Sequence, residues 1–134
     1  MKKGTLFLFI LLISIVVSCG FRIDKLAQNE TTTGFTDQEL NQPTFAVINQ
    51  KIFQGKCMSC HGPSGSAKRV SLEPRDALLN SPLDLVIPEN PDESGLAIAI
   101  SRTDKKRMPP EKSGPPLSTT EIAIIKKWIL QGAQ

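Results

Sequence analysis

The sequence contains one histidine, three cysteines and no tyrosine among its 134 residues. One of the cysteines, Cys19, directly follows an apolar run near the N-terminus and is interpreted separately below. A structural zinc site needs four nitrogen or sulfur ligands. The remaining cysteines, Cys57 and Cys60, and the single histidine, His61, supply only three. The number of available ligands therefore argues against a zinc site.

The sequence also lacks a strong excess of basic residues, because its formal net charge is only +3. Its one basic run is Lys105-Lys106-Arg107. A nucleic-acid interface requires a basic face that makes several phosphate contacts. We therefore expect no nucleic-acid partner, and we interpret the basic run as a solvated loop.

The N-terminus has the features of an export signal. Lys2 and Lys3 precede an apolar run over residues 6–17, and this run is too short to span a bilayer comfortably. The following Val16-Val17-Ser18-Cys19 resembles the lipobox of bacterial lipoproteins. This resemblance implies a signal peptide over residues 1–18 and a lipidated Cys19 at the start of the mature chain. An uncleaved anchor, or ordinary cleavage that leaves a free thiol, remains an alternative.

Residues 19–42 are poor in periodic apolar positions and rich in Thr, Asn, Gln and Asp. This composition is typical of a solvated tether. We predict a flexible linker over residues 19–42 and a single domain over residues 43–134.

The central motif of that domain is Cys57-Met58-Ser59-Cys60-His61. The C-x-x-C-H spacing is the one required for covalent attachment of a c-type haem. Two cysteines one helical turn apart can bond the two vinyl groups of one porphyrin, and His61 can bind the iron from the proximal side. A redox-active dithiol would need a βαβ context, which the surrounding sequence does not have. Haem attachment takes place outside the energy-transducing membrane, so this motif and the export signal both predict the periplasm.

Apolar periodicity predicts helices on both sides of this motif. Before it, Pro43 suits the first turn of a helix whose apolar stripe leads into Cys57. After it, we predict a short helix over residues 75–80 and a helix that starts with Asn90 as the cap and runs to about residue 102. The apolar stripe of the first helix is Phe45, Ile48, Ile52 and Phe53.

The terminal helix is the most strongly indicated. Ser118-Thr119-Thr120-Glu121 is a capping box, and Gly132 can close the helix. Residues 103–117 contain four prolines and are predicted to be non-helical. The stripe of the terminal helix is Ile122, Ile125, Trp128 and Ile129. The predicted fold is therefore all-α.

Met108 is the best candidate for a second axial ligand on the distal side of the iron. Met1 is removed with the signal peptide, and Met58 lies between the two anchoring cysteines, from where it cannot reach the opposite face. A methionine is often only a flexible core filler. However, a proline-stiffened loop between two helices is better suited to holding a thioether over a metal.

The order of these elements resembles a class I cytochrome c, and more closely a planctomycete-type short cytochrome c domain over residues 43–133. The segments that carry the resemblance are Ile87-Pro88, Pro91-Asp92-Glu93-Ser94-Gly95-Leu96, Arg107-Met108-Pro109-Pro110, Leu117-Ser118 and Trp128-Ile129-Leu130-Gln131-Gly132-Ala133. The sequence departs from the family at Glu89-Asn90, where a glycine is more common. The resemblance implies one haem c bound through Cys57 and Cys60, with His61 and Met108 as the iron ligands. It also implies that the first and last helices pack together, with Ile48, Ile52 and Phe53 against Ile125, Trp128 and Ile129.

These features predict a membrane-anchored, monohaem electron carrier that exchanges electrons with periplasmic or membrane redox partners. A dihaem peroxidase would need two C-x-x-C-H motifs, and the chain has one, so we expect a carrier and not an enzyme. A haem-based sensor or a non-catalytic docking subunit of a larger complex remains the alternative.

Overall fold

The computed structural model describes residues 34–134, and in this part of the chain it is helical with no strand. The α-helices are α1 (Asp37–Asn41), α2 (Phe45–Ile48), α3 (Gln54–Lys56), α4 (Met58–His61), α5 (Arg75–Leu79), α6 (Gly95–Ser101) and α7 (Thr119–Leu130). A π-helical segment, Asn49–Phe53, joins α2 to α3, and one 3₁₀ turn covers Glu111–Ser113. The predicted all-α class is confirmed.

The predicted signal peptide and Cys19 lie outside the described residues. Within residues 34–134, no helix is both long enough and apolar enough to cross a membrane.

The helix before the cysteines begins two residues later than the sequence suggested, at Phe45. Thr44 is its cap, and the Thr44 hydroxyl accepts a hydrogen bond from the backbone N–H of Val47 at 3.3 Å. Pro43 therefore precedes the cap and does not occupy the first turn. The predicted apolar stripe is confirmed, since Ile48, Ile52 and Phe53 are fully buried.

The terminal helix α7 begins and is capped as predicted, but its buried face includes Ile124, while the predicted Ile122 is only partly buried. The Ser118 hydroxyl accepts from the backbone N–H of Glu121, and the Glu121 carboxylate accepts from the backbone N–H of Ser118, so the capping box is complete. Trp128 is fully buried, and its ring centroid lies 5.9 Å from that of Phe45. This contact confirms that the first and last helices pack together. One buried cluster includes Ile48, Ile52, Phe53, Ile125, Trp128 and Ile129.

The helix α6 begins four residues further along the chain than predicted. Asn90 does not cap it, because the Asn90 amide donates to the Glu93 carboxylate at 2.8 Å within a separate turn. Ser94 is the cap instead, and its buried hydroxyl donates to the Asn90 carbonyl at 2.8 Å. Glu89, in the dipeptide Glu89-Asn90, adopts a positive φ of 65°, a backbone conformation that glycine adopts most readily.

The folded unit also begins before the predicted boundary at Pro43. Phe35 is buried in the core, and Thr36 forms a capping box with Glu39 at the start of α1. Lys127 on α7 donates to the carbonyl of Leu40 at 2.9 Å. The last residues of the predicted linker are therefore packed against the domain. Within residues 34–42, only Phe35 and Leu40 have sizeable apolar side chains, so the composition did not indicate a packed segment.

Candidate haem site

The short helix α4 brings the two cysteines and the histidine together. The backbone N–H groups of Cys60 and His61 both donate to the carbonyl of Cys57, at 3.0 Å and 2.9 Å. These bonds form one helical turn between the two cysteines. The predicted spacing of the thiols along a helical turn is confirmed.

The chain reverses direction directly after His61, and Gly65 makes this possible. A Cβ atom at Gly65 would collide with the backbone of Cys60. Two residues later, the N–H of Ala67 donates to the carbonyl of Cys60 at 2.8 Å. This close return of the backbone carries Val70 back to the histidine ring.

His61 is oriented by the carbonyl of Val70, which lies 2.9 Å from the imidazole Nδ1. A carbonyl oxygen can only accept, so Nδ1 carries the proton and the lone pair is on Nε2. Metal-binding histidines usually donate their other ring N–H in this way, which fixes both the tautomer and the ring orientation. His61 is therefore prepared to bind a metal through Nε2. Val70 could not be recognised from the sequence, because its role depends on a backbone carbonyl and not on its side chain.

The Cys57 thiol does not have the character of a redox-active dithiol. Burial raises the pKa of Cys57 to about 11, and the nearby Lys56 only partly offsets this effect. Reactive cysteines in C-x-x-C redox motifs have lowered pKa values instead. This result supports the rejection of a redox-dithiol function.

A cavity of about 610 Å³ opens beside α4. Its volume falls within the range of roughly 300–1,000 Å³ that is typical of ligand and cofactor sites. The groups with ligand chemistry in its wall are Cys57, Cys60, His61 and Met108. The larger apolar side chains in the wall are Val70, Leu72, Leu85, Leu96, Ile100 and Leu117.

Met108 reaches this cavity from the proline-rich loop. Its backbone N–H donates to the carbonyl of Ala99 on α6 at 3.0 Å, and its side chain is about one-third exposed. Met58, in contrast, is not among the residues that line the cavity and packs against the hydrophobic core. The structure therefore brings together Cys57, Cys60, His61 and Met108, and it separates them from Met58.

The residues present fit a covalently attached haem. Two thiols on one helical turn, an imidazole with a free Nε2, a thioether and apolar walls are the groups by which proteins hold haem c. The iron ligands of such a site would be His61 and Met108.

The comparison with protein-family models gives an independent result. Residues 57–112 match the model of the family described as Planctomycete cytochrome C. No curated protein and no solved structure gives a significant match to the chain. The matched region starts at Cys57 and includes Met108, and a cytochrome c family domain indicates a haem-based role in electron transfer. Residues 57–112 thus match a planctomycete-type cytochrome c domain, and the part of the chain that the structure describes has an all-α fold.

Proposed function

We propose that this protein is a membrane-anchored, monohaem c-type cytochrome that transfers electrons between periplasmic or membrane redox partners. One observation carries the proposal: the thiols of Cys57 and Cys60, the imidazole of His61 and the thioether of Met108 all line one cavity. The family match supports a haem-based electron carrier at a coarser level.

Each of these residues has a separate role. Cys57 and Cys60 would attach the haem through thioether bonds. His61 would hold the iron through Nε2, while the Val70 carbonyl keeps the proton on Nδ1. Met108 would hold the iron through its thioether. When bound, the haem supplies a one-electron change between Fe(II) and Fe(III).

Methionine as the second ligand favours electron transfer over bond-making chemistry. A thioether donates electrons more weakly than a nitrogen ligand, so a His/Met pair raises the reduction potential. A bound Met108 also occupies the position that peroxide or carbon monoxide would need. The protein is therefore expected to carry electrons without binding small ligands.

The location of the domain follows from the N-terminal sequence. Cys19 after the apolar run supports a lipid anchor, and haem attachment outside the cytoplasm supports a domain that faces the periplasm. The region between Cys19 and Phe35, which is buried in the domain, would connect the anchor to the domain.

Carbon monoxide binding to the ferrous holoprotein tests this proposal. We expect the wild-type protein to bind carbon monoxide poorly and the Met108→Ala variant to bind it readily, with a lower reduction potential. The Met58→Leu variant is the matched control, because Met58 does not line the cavity, and it should behave like the wild type. Ready binding by the wild-type protein at neutral pH would contradict the carrier function and would favour a sensor.

A further inference from the structure

We propose that Arg107 is a positioning residue that holds the Met108 loop in the shape required for iron ligation. This inference rests on the proposed function of Met108 as the distal ligand. It assigns a role to a side chain that neither contacts the iron nor lines the haem cavity.

The loop after Met108 has few hydrogen-bond donors of its own. Pro109, Pro110, Pro115 and Pro116 have no backbone N–H. A loop with so many prolines leaves carbonyl groups that neighbouring backbone cannot satisfy, and half-buried carbonyls without partners are costly. The backbone of the loop pairs the carbonyls of Pro110 and Glu111, whereas those of Pro109 and Gly114 accept from a side chain.

Arg107 supplies these donors at both ends of the loop. Its Nη1 donates to the carbonyl of Pro109 at 2.6 Å, and its Nη2 donates to the carbonyl of Gly114 at 3.0 Å. Between these two carbonyls lies the 3₁₀ turn Glu111–Ser113. The guanidinium group thus bridges the entry and the exit of the turn.

Arginine is suited to this bridge for a geometric reason. Its guanidinium group is planar and holds its N–H donors in a fixed fork, so two carbonyls can be bonded at once with little further loss of rotational freedom. Lysine has the same charge, but its ammonium is a compact point on a flexible stem. The bridge therefore depends on the shape of arginine and not only on its charge.

Met108 lies between two fixed points of the backbone. On one side, its own N–H is bonded to Ala99 on α6 at 3.0 Å. On the other side, the carbonyl of the next residue, the buried Pro109, accepts a hydrogen bond from Arg107. The methionine side chain itself is flexible and its sulfur is a weak ligand. A fixed backbone on both sides reduces the conformations in which the sulfur would leave the iron.

The test compares variants of the holoprotein by ferrous carbon monoxide affinity and reduction potential. Arg107→Gln removes the bridge, and we expect the carbon monoxide affinity to rise by about tenfold or more, towards that of Met108→Ala, because hydrogen bonds from a charged donor are strong. Arg107→Lys should give a smaller rise. Arg102→Gln is the matched control, since Arg102 pairs with Asp104, and both quantities should remain unchanged.

A double-mutant cycle separates positioning from general destabilisation. In the Met108→Ala background, Arg107→Gln should produce no further rise in carbon monoxide affinity. If Arg107→Gln and Arg107→Lys lower the melting temperature but leave both affinity and potential unchanged, Arg107 is only structural and the inference is overturned. If Met108→Ala itself changes neither quantity, the ligand role of Met108 fails, and that result identifies the proposed function as the source of the error.

Discussion

Lys56 Nζ lies 2.7 Å from the Glu121 carboxylate, which links the residue before Cys57 to the first turn of α7. Glu121 also accepts hydrogen bonds from the backbone N–H and the hydroxyl of Ser118, at 2.8 Å and 2.9 Å. Its side chain is only 11% exposed. One carboxylate thus completes the helix cap and connects the terminal helix to the haem-attachment segment.

Replacing Lys56 by methionine should destabilise the domain at neutral pH. The carboxylate of Glu121 would lose its charged partner while remaining largely buried, at a cost of about 1–2 kcal/mol, because Lys56 is itself partly exposed. Guanidinium unfolding of the holoprotein measures the change. Lys126→Met is the control: its exposed contact with Asp92 is 3.4 Å long, so its effect should stay within about 0.5 kcal/mol.

The effect of Lys56→Met should also depend on pH. Burial raises the pKa of Glu121, but the hydrogen bonds from Lys56 and Ser118 outweigh it and lower the pKa below the ordinary value. The stabilisation is therefore complete above the ordinary glutamate pKa of about 4.3 and is lost as the pH falls through the lower pKa of the folded state. The gap in stability between wild type and variant should narrow in acid. If the difference in stability between wild type and variant stays constant down to about pH 2, the ion pair between Lys56 and Glu121 is not the source of that difference.

A substitution at Gly65 tests the reversal of chain direction that follows His61. Gly65→Ala should disturb the contact with the backbone of Cys60, because the added Cβ would collide there. We expect a lower yield of holoprotein, measured by haem staining and absorbance after expression with the haem-attachment machinery. Ser64→Ala is the control, since the neighbouring Ser64 is exposed and does not line the cavity. An equal yield of holoprotein from both variants would contradict the close approach of Gly65 to the backbone of Cys60.

The local parts of this structure could be predicted from the sequence. The α7 capping box and the apolar stripes depend on residues three or four positions apart, and their prediction was confirmed. Cys57, Cys60 and His61 lie in one motif, and Met108 could be found by eliminating the other methionines. The start of α6 was missed because Asn90 uses its side chain in a preceding turn.

Long-range contacts explain most of what the sequence did not reveal. The orientation of His61 depends on a carbonyl nine residues away, and the bridge by Arg107 depends on the shape of a proline-rich loop. Phe35 is buried in the core and contacts Lys51, sixteen positions away in the chain. Residue types carry little information about such contacts until the backbone path is known.

The segment around Phe35 should stabilise the domain without affecting the haem site. Lys51 Nζ lies 5.2 Å from the centre of the Phe35 ring and donates to the carbonyl of Gly34 at 2.8 Å. Phe35→Ala removes a buried ring, and we expect a loss of about 2–4 kcal/mol in the free energy of unfolding. The reduction potential should not change, because no residue of this segment lines the cavity.

A matched control for Phe35→Ala is Gln38→Ala, which changes an exposed side chain of the same segment. It should leave both stability and potential close to those of the wild type. If Phe35→Ala and the wild type unfold at the same guanidinium concentration, the segment around Phe35 is not packed in solution. The predicted flexible linker would then extend to Gln42.

Cys19 should carry the membrane anchor. The apolar run over residues 6–17 is short for a spanning helix, whereas the several acyl chains expected on a lipoprotein cysteine are enough for stable attachment. Cys19→Ala should therefore move the protein from the membrane pellet to the soluble fraction, with its haem spectrum unchanged. Ser18→Ala is the matched control, because it keeps a small residue before the cysteine and should remain in the pellet. Retention of Cys19→Ala in the membrane would show that the N-terminal run is itself an uncleaved anchor.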